Sequence, residues 1–123
     1  MKKIISLLIR FVPRKYLQSM GGWGIRIAGL FYRGNAVQCP VCESNFRIFM
    51  PYGRLKPRPN ALCPNCLSLE RHRLMWLYLR ERSSFFREKQ MVLHIAPEAC
   101  FIRRFEKLHG DGYITADIES PLA

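Results

Sequence analysis

Acidic residues are scarce in the first half of this 123-residue chain. Of its 20 Lys and Arg and its 9 Asp and Glu, residues 1–69 hold 11 of the bases and one acid, Glu43. Residues 70–123 hold 9 bases and 8 acids, so almost all of the formal charge of +11 lies in the N-terminal part, and a polyanionic partner would meet that part first. Long apolar runs are also missing. No stretch approaches the roughly 18 residues that a membrane-spanning helix needs. The opening MKKIISLLIRFVPRKYLQ begins like a signal peptide, but Arg10 cuts its apolar core to six residues and no small-x-small cleavage site follows. The expected location is therefore cytoplasmic. There is no internal repeat and no low-complexity tract.

A composition of 49% hydrophobic and 12% aromatic residues excludes wholesale disorder, and the length allows one compact domain or two small modules of which one is stapled. Four segments are expected: a basic amphipathic helical segment at 1–34, a cysteine module at 35–68, a linking helix at 69–88 and an α/β unit at 89–123. In the first, residues 3–18 read as a helix with Ile4, Leu8 and Phe11 on one side. WGIRIAGLFYR, following Gly21 and Gly22, reads as a second. These segments either cover each other and the rest of the fold or rest on an anionic membrane surface through residues 1–33.

CPVC at 39–42 and CPNC at 63–66 give two Cys-x2-Cys pairs separated by twenty residues. Two residues between cysteines let both thiolates of a pair face one tetrahedral ion from a tight turn, and two such turns complete a closed zinc site. Cys39, Cys42, Cys63 and Cys66 are thus the candidate metal ligands, and a full set of four thiolates makes the zinc structural. A secreted disulfide framework would show more scattered cysteines. Cys100 reads as a small buried helix residue, and His72 as a surface residue of the linking helix, whose N-cap would be Ser68 and whose apolar side would be Leu74, Leu77 and Tyr78. Phe46, Phe49 and Tyr52 interleave with Arg47, Arg54, Lys56 and Arg58, a pattern that either stacks nucleic-acid bases or packs a hairpin.

QMVLHIAPEACF, residues 90–101, reads as a strand at 91–95 entering a turn and a helix near 98–108, with Phe101, Ile102, Phe105 and Leu108 on its apolar side. YITADI at 113–118 reads as a second strand. Strand, helix and strand at this length form one βαβ unit. In open α/β folds a cofactor sits where the first strand ends, and an acid at the end of the second grips ribose hydroxyls. Asp117, 22 residues after Ile95, has that spacing.

CPVCESNFRIFMPYGRLKPRPNALCPNCLSLERHRLMWLYLRE, with VLHIAPEACF and YITADIESPLA after it, closely resembles the start of a bacterial family of class I S-adenosylmethionine-dependent methyltransferases that carry a zinc-ribbon-like module. The resemblance runs from about residue 33 to the last. It implies an α+β fold: N-terminal helices and a small zinc ribbon, followed by a partial Rossmann-like βαβ unit. It also implies S-adenosylmethionine as cofactor of the complete protein, with His94 at the place of the family's acid, and Ala96, Glu98 and Cys100 at its glycine places. Glu98 would lie near the amino-acid or ribose end of the cofactor, and Asp117 would hold the ribose diol. The methyl acceptor is not implied. A complete domain of this class has about seven strands, so the chain is expected to be the N-terminal part of such an enzyme and inactive alone. The alternative is a stand-alone zinc-ribbon protein that binds nucleic acid or an acidic partner.

Overall fold

The computed structural model describes residues 14–118, and the expected helix at 3–18 lies largely outside that range. Helix α1 (Arg14–Ala28) leads through a 3-10 turn (Gly29–Tyr32) into β1 (Arg33–Gln38), β2 (Asn45–Phe46), β3 (Met50–Tyr52) and β4 (Arg58–Leu62). Helix α2 (Glu70–Arg82), β5 (Val92–Ile95), α3 (Ala99–His109), a 3-10 turn (Gly110–Gly112) and β6 (Tyr113–Ala116) complete a mixed α/β chain. The strands form three two-stranded sheets: β1 with β2 and β3 with β4 antiparallel, β5 with β6 parallel.

Helix α1 runs without interruption through Gly21 and Gly22, so these residues do not separate two helices. Side chains facing one another along a helix already recur every three to four residues, and a glycine pair weakens a helix without breaking its hydrogen-bond ladder. Each cysteine pair directly follows a strand, Cys39 after β1 and Cys63 after β4. The hairpin β3–β4 spans the interval between the pairs, pairing Met50 with Leu62 and Tyr52 with Arg58.

The βαβ unit matches the sequence expectation closely. Val92 pairs with Tyr113, Leu93 with Ile114, His94 with Thr115 and Ile95 with Ala116. Helix α3 buries Phe101 and Phe105, leaves Ile102 and Leu108 half-buried, and ends at Gly110, whose φ of 58° continues the chain at no side-chain cost. It covers one face of the strand pair; on the other, Leu93, Ile95 and Ile114 are at least half exposed.

Helix α2 faces the opposite way from its expected orientation. Leu74 and Tyr78 are 70% and 62% exposed, whereas His72 and Arg73 are buried and Trp76 packs inward. The reason is that the inward polar groups are fully bonded. Arg73 donates from Nη1 to the Ser68 carbonyl (2.7 Å) and from Nη2 to the Ala61 carbonyl (2.8 Å), and its guanidinium lies 4.3 Å from the Phe49 ring centre. Trp76 stacks nearly parallel on Phe101 and Phe105, at 6.0 and 6.1 Å between ring centres, and such pairs contribute about 0.5–1.5 kcal/mol each beyond burial. Phe85 and Phe86, from the connection after α2, close this stack; Phe85 lies 4.8 Å from Phe105. The aromatic cluster is continuous with Cys39, Val41, Phe46, Phe49 and Cys63, so the cysteine module and the βαβ unit share one core.

Two glycines of the first helical segment should respond oppositely to alanine. A Cβ at Gly24 meets nothing, so Gly24→Ala should stabilise by about 0.5–1 kcal/mol. A Cβ at Gly29 would stand 2.6 Å from Pro64 Cβ, so Gly29→Ala should cost about 1–3 kcal/mol. Urea denaturation midpoints of the two variants measure both signs.

Candidate metal centre and the carboxyl edge of the parallel strands

The two cysteine turns are built alike. In CPVCES the Glu43 N–H donates to the Cys39 carbonyl (2.8 Å) and the Cys39 N–H to the Ser44 carbonyl (3.0 Å). In CPNCLS the Leu67 N–H donates to the Cys63 carbonyl (3.0 Å) and the Cys63 N–H to the Ser68 carbonyl (2.9 Å). The residue after each second cysteine is left-handed, Glu43 at φ 59° and Leu67 at φ 62°. All four Sγ atoms lie within 4.8 Å of one another, with Cys39 and Cys66 at 3.7 Å and Cys42 and Cys63 at 3.6 Å. A disulfide would bring sulfurs to about 2.05 Å. Tetrahedral thiolates at a zinc–sulfur distance of about 2.3 Å stand about 3.8 Å apart. The four cysteines therefore form a group that could hold a metal ion.

The charge balance of the group points the same way. Hydrogen bonds from Cys39, then Cys63 and Cys66, hold the Cys42 thiol far below the usual range, while contacts with Cys39 and Cys42 push Cys66 up. Four sulfurs this close compete for negative charge, and a cation at their centre removes the competition.

Around the sulfurs stands a shell that spacing alone did not reveal. Ser68, fully buried, is not the cap of α2; its Oγ lies 3.4 Å from Cys39 Sγ and 3.1 Å from Cys66 Sγ. Ser44 Oγ accepts from Asn65 Nδ2 at 2.8 Å and so ties one turn to the other. The recurrence Cys-Pro-x-Cys-x-Ser was the available signal. Arginines from two further helices bind turn carbonyls: Arg26 of α1 donates to Asn65 (3.1 Å) and Arg104 of α3 to Val41 (3.0 Å). A cleft of about 540 Å³ lies between the second turn and α3, lined in part by Arg26, Asn65, Arg103 and Arg104.

His72 is not on the surface. It is 7% exposed, accepts from the Leu69 N–H at Nδ1 (3.0 Å), and lies outside the sulfur group. Leu69 is thus the N-cap residue, and the histidine side chain satisfies a backbone donor that Ser68 leaves free. Cys100 is buried as expected, and burial pushes its thiol up to about 12, which makes it a poor nucleophile.

Because β5 and β6 are parallel, their carboxyl ends lie side by side, joined by the Ala96 N–H donating to the Ala116 carbonyl (2.8 Å). This edge carries Ala96, Glu98 and Asp117. Ala96 adopts φ 51°, the left-handed conformation that a glycine would take without cost. His94 projects under α3, where Nε2 lies 2.6 Å from Glu98 Oε2 and Nδ1 lies 2.7 Å from the Tyr113 hydroxyl. Burial raises the Tyr113 pKa, and both ring nitrogens of His94 are engaged, one with the Tyr113 hydroxyl and one with the Glu98 carboxyl. His72 approaches the other oxygen of Glu98 at 3.8 Å. Glu98 is therefore bonded to His94 at the start of α3, with His72 nearby. Asp117 is exposed and accepts from the Ile118 N–H (2.7 Å); it shares the strand edge with Glu98 without a bond between them. Phe46, on β2, and Phe49, just before β3, are buried, which leaves Tyr52, of those three, open to solvent. No protein-family model, curated protein or solved structure matches the chain.

Relieving the left-handed alanine should help the fold: Ala96→Gly is expected to stabilise by about 1 kcal/mol in chemical denaturation, despite the added freedom of the unfolded chain. Acid should do the reverse. Burial lowers the pKa of both His72 and His109 below the ordinary 6.5. The unfolded chain then binds protons that the folded chain refuses, so stability is full above the unfolded pKa and declines as pH falls through it, between about pH 7 and pH 5. In His109→Asn, which keeps an acceptor for the Gln90 N–H, the decline over that range should be shallower than in the parent.

Proposed function

We propose that this chain joins a structural zinc module to the cofactor-binding βαβ unit of a class I S-adenosylmethionine-dependent methyltransferase. The observation that carries the reading is the parallel pairing of β5 with β6, which brings Glu98 and Asp117 to one carboxyl edge. That edge is where open α/β sheets of the Rossmann-like kind bind nucleotides.

In this reading Cys39, Cys42, Cys63 and Cys66 hold zinc as a closed site. With no ligand position left for water, the ion supplies folding energy and no chemistry. A zinc ion with four thiolates keeps net negative charge, and the guanidinium groups of Arg26, Arg73 and Arg104 around the turns offset it. S-adenosylmethionine, when bound, supplies the methyl group on a sulfonium. The chain's own contribution is binding. The Asp117 carboxylate would accept two hydrogen bonds from the vicinal ribose diol, and Glu98, oriented by His94, would lie near the amino-acid or ribose end of the cofactor. Ala96 turns the chain sharply enough to keep its backbone out of that space, the task of glycine in other such loops. His94 is a positioning residue here, since both of its ring nitrogens are already engaged. None of the described residues is assigned to the transfer step.

A second reading, a zinc module that binds nucleic acid, draws support from the cleft between the second cysteine turn and α3 with its three arginines. The burial of Phe46 and Phe49 counts against base stacking on the hairpin.

Elemental analysis of protein purified without added metal should find about one zinc per chain, and Cys63→Ser should lose it. Isothermal titration with S-adenosylhomocysteine should show binding that Asp117→Ala weakens about tenfold or more, equivalent to about 1.4 kcal/mol. Absence of heat, together with an affinity for RNA that falls steeply with salt, would overturn the methyltransferase reading in favour of the second.

A further inference from the structure

Helix α1 has two faces with different fates. Its inner face lies on the second cysteine turn. Cβ atoms built at Gly22 and Gly29 would meet Leu67 at 3.5 Å and Pro64 at 2.6 Å, and Arg26 donates to the Asn65 carbonyl. This close seating fixes the rotation of the helix. The surface beside and beyond that contact carries Trp23, Ile27, Leu30 and Phe31, spaced three to four residues apart along the helix and its 3-10 extension. Among the described residues nothing covers them: they are 70%, 44%, 53% and 78% exposed. Four large apolar side chains in one exposed row mark an interaction surface, because isolated exposures scatter and this row does not.

The charge around the row limits the partner. Arg26, Arg33 and Arg47 are exposed beside it, and Arg47 is anchored to the Phe31 carbonyl at 3.1 Å. Among residues 1–69 the only acid is Glu43. A second copy docked through the same face would therefore bring cations against cations. Nucleic acid would satisfy the arginines but give Ile27 and Leu30 no apolar phase. An anionic bilayer supplies both, with acyl chains for the aliphatic side chains, phosphates for the guanidinium groups, and the headgroup boundary that tryptophan favours. We propose that the outer face of α1 docks this protein on an anionic lipid bilayer, with the helix lying in the plane of the interface. The proposal is independent of the methyltransferase reading.

Co-sedimentation of the full chain with vesicles tests it. Partition onto phosphatidylcholine vesicles containing about 30% phosphatidylserine should exceed that onto phosphatidylcholine alone by about tenfold or more. The double variant Trp23→Ser, Phe31→Ser should lose about tenfold of that partition while keeping the parent's far-ultraviolet circular dichroism and melting midpoint, and Ile27→Ser should lose part of it. Equal partition on the two vesicle types overturns the proposal, as does undiminished binding of the double variant, which would make the attraction purely electrostatic. A dimer in vesicle-free buffer that the double variant abolishes in sedimentation velocity would assign the face to a second copy instead.

Discussion

The convergence of four thiols, all within 4.8 Å of one another, is the constraint on which the rest of the structure depends. The strands that deliver them are too short to persist alone: β2 has two residues, β3 three, and each sheet has two strands. What positions these strands is the pair of turns at their ends, and what fixes the turns is their mutual approach. Everything around them is arranged to hold the turn backbone in place. Guanidinium groups from all three helices reach carbonyls in or next to the turns, and Ser68 sits directly against two sulfurs. The helices are thereby tied to the module through its backbone, while the shared aromatic core ties them through their side chains.

Backbone strain is concentrated where chemistry is proposed. Four non-glycine residues among those described are left-handed; Glu43 and Leu67 close the cysteine turns and Ala96 closes the strand-to-helix loop. Each costs about 1–2 kcal/mol, and such conformations persist only where the surroundings over-determine them. The fourth, Asn60, belongs to the amino-acid type that tolerates this region best, and its side chain accepts the Phe49 N–H at 2.9 Å. Backbone hydrogen bonds flank these residues, with the Glu43 and Leu67 N–H groups bonded to the first cysteine of each turn and the Ala96 N–H to Ala116.

Helix α2 connects the metal group to the strand edge. Its N-cap, Leu69, follows Ser68, which lies next to the sulfurs, and its His72 lies 3.8 Å from Glu98 at the other end of the path. Along that path Ser68 and His72, with Arg73 beside them, read in the sequence as ordinary polar residues of a charge-rich stretch. Their burial follows from the aromatic stack of Trp76, Phe101 and Phe105, which takes the interior side of α2 and carries the neighbouring polar residues inward with it.

Several features followed from the sequence alone because they depend on short-range spacing: the four cysteines as one group, the order strand, helix, strand at the C-terminal end, and the buried face of α3. Each rests on a local period, whether two residues between thiolates, two residues per strand repeat, or three to four per helical turn. Tertiary structure decided the rest. Rotation of α2 placed His72 and Arg73 inside and Leu74 and Tyr78 outside, against hydropathy, because bonded polar groups cost little to bury once an aromatic stack has claimed the helix. The pairing of His94 with Glu98 and the seating of Ser68 on the sulfurs join residues brought together by folding. No period along the chain encodes which residue on one element will meet which on another, since that depends on how the elements pack and not on their spacing.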